Sequence, residues 1–282
     1  MINVPIHRIE LNPTELCNRL CSFCPRAYDY PNLNLNMTAD TAEEIVLQTN
    51  QYTNYICIAG RCEPLLCPEI KEICQVMALY NRKFYLQTNG DFLDKHIQEL
   101  DAIMNLKKLP KNGHCKLLVN CYDGVEQKLE RQAKWQQYAA LKITAAREDD
   151  PTLEEYKSRI ATGKYVNRGG YLPWTFSPAV QSPCYILFHK CYINWNGDIQ
   201  ICCHDWKVMK SFGNIFDKPF QEIWEGEELM KYRLTLQHAG GRQKFEECKN
   251  CDAIQQWEDT KRYYESWVKK NVTRTQECPS FE

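Results

Sequence analysis

The sequence has no basic tract. Its 35 Lys and Arg face 36 Asp and Glu, for a net charge of −1 and an isoelectric point near 6.6, so nothing points to nucleic acid or to an anionic membrane surface. No stretch approaches the ~20 apolar residues of a membrane span. The opening Met1-Ile2-Asn3-Val4-Pro5 lacks the basic and apolar regions of a secretory signal. Neither a Gly-x4-Gly-Lys loop nor a Gly-x-Gly-x-x-Gly fingerprint occurs, so neither nucleotide fold is suggested. There is no internal repeat and no low-complexity segment. The six histidines show no His-x3-His pairing or other ligand pattern.

Cysteine, by contrast, is abundant: 16 in 282 residues. Without an export signal, metal binding explains such a count better than disulfides do, and a cytoplasmic, oxygen-sensitive protein is expected. Three of them form Cys17-Asn18-Arg19-Leu20-Cys21-Ser22-Phe23-Cys24, just after a strand-like Ile9–Asn12. A strand feeding a compact three-thiol loop can wrap one face of a cluster. Iron–sulfur clusters normally take four cysteines, so three leave one position open; the alternative is zinc, which usually shows two Cys pairs and four closed ligands.

Four later cysteines, Cys184, Cys202, Cys248 and Cys251, can close round a second centre, zinc or iron–sulfur. Asn196-Gly197 between Tyr192–Trp195 and Asp198–Ile201 is a strong hairpin signal. Alternation along that second strand puts Cys203 with Ile199 and Ile201, and Cys202 with Gln200 on the opposite face. Cys202 and Cys203 are therefore not expected to serve one cluster. Most of Cys57, Cys67, Cys74, Cys115, Cys121, Cys191, Cys203 and Cys278 are expected to pack as small apolar groups.

Strand-like and helix-like stretches alternate through the first half. Thr38 or Thr41 can cap a helix through Leu47. Tyr55–Ala59, Phe84–Gln87, Lys116–Asn120 and Leu141–Ala145 read as strands. A helix from Pro68 carries Ile70, Ile73, Met77 and Leu79 towards a core, and others run near Leu93–Leu106 and Val125–Tyr138. Repeated βα units argue for an α/β fold with a parallel sheet and outer helices. A Pro-rich boundary falls at Leu172–Pro183. The expected division is 1–180 for the barrel, 181–265 for a small cluster domain and 266–282 for a tail.

The Cys17/Cys21/Cys24 spacing, with aromatic Phe23, resembles the radical S-adenosylmethionine (radical SAM) superfamily. That resemblance implies a partial (β/α)6 barrel and a [4Fe–4S] cluster whose open iron is chelated by S-adenosyl-L-methionine. Gly60-Arg61-Cys62-Glu63-Pro64 looks like the superfamily's Gly-Gly-Glu motif, which implies that Gly60 and Glu63 approach SAM. Cys62 replaces the second glycine; it is a tolerated small residue, a hydrogen-atom donor or a change that weakens SAM binding. Thr88 and Asn89 resemble strand-end residues that reach SAM, though Asn89-Gly90 also reads as an ordinary turn.

The second cysteine set, with Gly213-Asn214, looks like the SPASM/twitch extension. Trp257 stands where the longer form has cysteine, which implies the twitch form with one auxiliary [4Fe–4S] cluster. Chain size and pattern are similar to 2-deoxy-scyllo-inosamine dehydrogenase. The resemblance implies an oxidoreductase that abstracts hydrogen from a small-molecule alcohol, passes an electron to the auxiliary cluster and is reduced by flavodoxin or ferredoxin. Arg168, 16 residues before Cys184, then holds a substrate hydroxyl or carboxylate; otherwise it is a surface arginine in a turn. The alternatives are a peptide maturase or epimerase and a zinc-bound scaffold. Only 16 residues precede Cys17, so a fused leader-binding domain of ~80 residues, an ordinary domain size, is not expected.

Overall fold

The computed structural model describes residues 6–53, 55–108, 115–145, 166–172 and 180–253. Five βα-type strands come first: β1 (Arg8–Leu11), β2 (Tyr55–Ile58), β3 (Lys83–Thr88), β4 (Cys115–Cys121) and β5 (Leu141–Ala145). Between them lie α1 (Ala39–Thr49), α2 (Ile70–Leu79), α3 (Leu93–Met104) and α4 (Gly124–Lys134). The second half adds β6 (Lys190–Ile193), β7 (Asp198–Gln200), β8 (Ser211–Asn214), α5 (Phe220–Trp224) and α6 (Glu227–Leu236).

All fourteen belong to one α/β architecture whose eight strands run in the order β5-β4-β3-β2-β1-β6-β7-β8. Six strands are parallel. The sixth, β6, joins beside β1 rather than beyond β5, and β7 and β8 continue antiparallel. The cluster-domain hairpin thus extends the barrel's own sheet. The expected boundary overlaps residues 173–179, and residues 254–282, with Trp257, Cys278 and the expected tail, lie outside the described residues as well.

Local chemistry explains the elements. Thr38 caps α1, its hydroxyl accepting from Thr41 N–H at 3.1 Å. On α2 the buried stripe is Ile70, Ile73, Cys74 and Met77, each 0% exposed, whereas Leu79 is 77% exposed. Leu79 therefore does not join the core: two residues past Met77 on a 3.6-residue turn, it points to the far face. The 192–201 hairpin is also shorter than its alternation predicts. Its register pairs Ile193 with Ile199, and Asn194–Gly197 form a four-residue loop closed by Gly197 N–H to Asn194 O at 3.0 Å. Gly197 has φ +87°; Asn196-Gly197 is the second half of that loop, not a two-residue turn.

On β4, Cys115, Leu117, Val119 and Cys121 are buried against helices while Lys116, Leu118 and Asn120 are half-buried. Cys57, Cys67, Cys74 and Cys191 are also buried, as small apolar side chains are. Every second residue of β1, β3 and β4 faces the sheet's other side, and there Arg8, Glu10, Tyr85, Gln87 and Asn120 line a cavity.

Candidate active site

That cavity, of about 360 Å3, opens at the carboxyl ends of the strands, where such folds bind ligands. Its wall carries Cys17, Cys21 and Cys24 together with Phe23, Gly60, Cys62, Glu63, Thr88, Asn89 and Arg168. The cysteine loop is held by local bonds: Cys17 N–H donates to Asn32 Oδ1, and Asn32 Nδ2 donates back to Cys17 O, both at 2.8 Å. Cys24 N–H donates to Cys21 O at 2.9 Å. Phe23, 5% exposed, packs against Leu172 and lies 5.7 Å from the Tyr122 ring.

Gly60 is required by close approach. Its φ is +110°, and a Cβ would sit 2.4 Å from Asn12 Oδ1. Glu63, 1% exposed, spends its carboxylate on the neighbouring rim loop. It accepts from Thr88 Oγ1 at 2.5 Å, Asn89 N–H at 2.7 Å and Leu65 N–H at 3.1 Å. Burial pushes its pKa up to about 7, against these three donors. Asn89 in turn donates to Asn18 Oδ1 at 2.8 Å and accepts from Asp91 N–H. Glu63, Thr88 and Asn89 therefore form a strut that joins three motif loops while lining the cavity. The Cys62 thiol is directed at Ala59 O, 3.3 Å away.

Beneath the cysteine loop lies a buried ionic network. Glu15 faces Arg26 at 3.6 Å and Arg61 at 3.5 Å, all with side chains under 5% exposed, and also accepts from Tyr30 OH. Arg61 reaches onward to Gln200 Oε1 at 2.8 Å and Asp205 O at 3.2 Å, tying the Gly60–Glu63 loop to the hairpin. Sequence reasoning passed over Glu15, Arg26, Arg61, Glu10 and Arg8. Only the every-second-residue placement of Arg8 and Glu10 on β1 could have pointed to them.

The second set, Cys184, Cys202, Cys248 and Cys251, surrounds a cavity of about 40 Å3 whose other walls include Ile186, Ile201, Leu236, His204 and Arg242. Cys202 is raised by burial and by its neighbours Cys203, Cys248 and Cys251; Cys251 is pushed up to about 11, chiefly by burial. Four thiols crowded in an apolar wall are well matched to a metal centre, which holds them as thiolates. Among the described residues no three His, Cys, Asp or Glu side chains converge on a single-ion site. His204 also lines this cavity, 5% exposed, and burial holds it near pKa 3, in the neutral form.

Cys202 and Cys203 diverge, but not in the grouping that alternation predicts: β7 ends at Gln200 and both lie in the turn after it, so Cys202 shares the small cavity with Ile201, and Cys203 lines a neighbouring cavity with Gln200. Cys202 lines the small cavity and Cys203 the large one. Cys203 is half-buried; it packs against the core as a small apolar group and also faces the cavity. Arg168 reaches the large cavity from a loop in which it, Gly169 and Gly170 have φ of +54°, +75° and +93°. This strained loop is pinned to the second cysteine set: Asn167 N–H donates to Asp252 Oδ1 at 2.7 Å and its side chain to Asn250 O at 2.6 Å. A Cβ on Gly169 would meet His204 O at 2.6 Å.

Residues 11–119 match the Radical SAM superfamily and residues 184–252 match SPASM, an iron–sulfur cluster-binding domain. The chain thus carries a radical SAM domain followed by a SPASM domain, the domains of a radical SAM enzyme. A radical SAM domain implies a [4Fe–4S] cluster and S-adenosyl-L-methionine, and SPASM an auxiliary iron–sulfur cluster.

Among solved structures, BtrN in complex with AdoMet and 2-DOIA overlays with a TM-score of 0.67 at 23% identity, covering 88% of this chain and 94% of that one. Streptococcus suis SuiB bound to precursor peptide SuiA overlays at 0.50 and 14% identity, covering 89% and 70%. These likenesses show the fold. No curated protein sequence matches. Among the described residues no helix is long and apolar enough to cross a membrane.

Proposed function

We propose that the protein oxidises an alcohol carbon of a small, polar substrate. When bound, SAM and the first cluster supply a 5′-deoxyadenosyl radical for hydrogen abstraction, and the auxiliary cluster supplies an acceptor for one electron. Cys17, Cys21 and Cys24 hold the first cluster, and Cys184, Cys202, Cys248 and Cys251 the second, as one auxiliary cluster of the twitch kind. Phe23, Gly60 and the Glu63–Thr88–Asn89 strut shape the SAM side of the cavity. Arg168 orients the substrate.

Glu10 accepts the hydroxyl proton. It lines the cavity floor with a side chain 14% exposed, and burial pushes its pKa up to about 7, where a general base works at neutral pH. The observation that carries this reading is the divergence of Cys202 and Cys203. Substrate and electron acceptor would be separated by the wall at one dipeptide, which suits oxidation.

The overlay with BtrN, solved with AdoMet and 2-DOIA, covers nearly all of both chains and supports a small-molecule substrate over a peptide. The SuiB overlay keeps peptide maturation as the second reading. A flavodoxin or ferredoxin would provide the reducing electron. The test is anaerobic reconstitution, then turnover with polyols, aminocyclitols and peptides. A ketone formed with one electron delivered per turnover to the auxiliary cluster, seen by EPR, supports oxidation. A crosslinked or epimerised peptide overturns it.

A further inference from the structure

The charge of the large cavity is unbalanced at its floor. β1 and β6 run parallel with Arg8 directly opposite Lys190, and like charges in register are unfavourable unless something compensates them. The carboxylate beside them is Glu10, 3.5 Å from Arg8 Nη2. Arg8 Nη1 donates to Tyr85 OH at 2.6 Å, while its buried Nε has no hydrogen-bond partner. Two cations thus share one carboxyl group, and that group is only part-ionised near neutrality because its pKa is raised to about 7.

Arg168 adds a further cation on the cavity wall itself, which Arg8 lines and Lys190 does not. Other arginines on the wall are answered: Arg19 by Asp91 and Asp123, Arg26 and Arg61 by Glu15. Arg168 has no ion-pair partner among the described residues, although its loop is bolted in place by Asn167, Asp252 and Asn250. A guanidinium held ready in this way favours a planar or tetrahedral oxyanion.

We propose that the substrate is a polyhydroxylated small molecule bearing a carboxylate or a phosphate, with that anion held by Arg168 and Arg8 and the reacting carbinol beside Glu10. This rests on the alcohol-oxidation reading and narrows it: a purely cationic aminocyclitol is disfavoured.

The test is calorimetric titration of the anaerobically reconstituted, SAM-loaded protein with four probes: gluconate, myo-inositol 1-phosphate, neutral myo-inositol and cationic 2-deoxystreptamine. One of the two anions is expected to bind at least about tenfold more tightly than the neutral and cationic probes. Which one it is separates carboxylate from phosphate. The preference should shrink as salt is raised and vanish in Arg168→Gln, whose iron content and SAM affinity report that it is folded. Equal or tighter binding of the neutral or cationic probe overturns the proposal. So does the absence of binding by both anions, or a preference that survives in Arg168→Gln. Oxidation of the neutral or cationic probe would sink the anion while leaving alcohol oxidation standing. Selective anion binding by a protein that modifies only peptides would do the reverse.

Discussion

The three-cysteine loop and the four-cysteine site lie on either side of the Cys202–Cys203 turn, and their surroundings differ. The first faces a polar cavity of about 360 Å3 and is held by side chain-to-backbone bonds from Asn32 and by the Glu15 ionic network. The second closes on about 40 Å3 between Ile186, Ile201 and Leu236. A centre that must admit a cosubstrate needs an open rim with polar groups to spare. A centre that only exchanges electrons can be sealed in apolar wall, where burial also sets its potential. The two share Arg61 and the Arg168 loop, which keep the open site in register with the closed one.

Removing the open set has the largest expected effect. Cys17→Ala/Cys21→Ala/Cys24→Ala should lose SAM cleavage altogether, with iron falling from about eight to about four per chain. Cys202→Ala sharpens the contrast: the same iron loss, with 5′-deoxyadenosine still formed and alcohol oxidation stopped. Glu10→Gln should lower turnover by about 10²–10³. In the wild type the carboxylate is the active base and burial raises its pKa to about 7. Turnover should therefore rise with pH through about 7, and Glu10→Gln should flatten that limb of the pH–rate profile.

Arg61→Met leaves Glu15 with one cation and strands Gln200. It should cost about 3 kcal/mol, a fall in Tm of roughly 6–12 °C by scanning calorimetry. The smallest effect belongs to Cys62→Ala, whose thiol is directed at Ala59 O; turnover within a factor of about two is expected for a packing residue. A collapse of turnover would make Cys62 a participant and break the division of labour drawn above.

Much of this site was legible because its signals are short in sequence. Ligand spacing within 17–24 and 248–251 and the Gly60–Pro64 loop need only neighbouring residues. The polar lining was harder to see, because Arg8, Glu10, Tyr85, Gln87 and Asn120 sit on strands whose short alternation does not reveal which face is lumen and which is core. Leu79 and the 194–197 loop show the same limit at smaller scale, since one residue of phase changes the face.

The sequence by itself determined the two cysteine sets and the βα order, both set by patterns local to the chain. Only the tertiary structure decided that β6 lies beside β1, which brings Cys203 and Arg168 onto a cavity floored by Arg8 and Glu10. It also decided that Glu63, Thr88 and Asn89 bind one another. Such contacts join residues far apart in the chain, and packing and buried charge, which no local pattern encodes, select them.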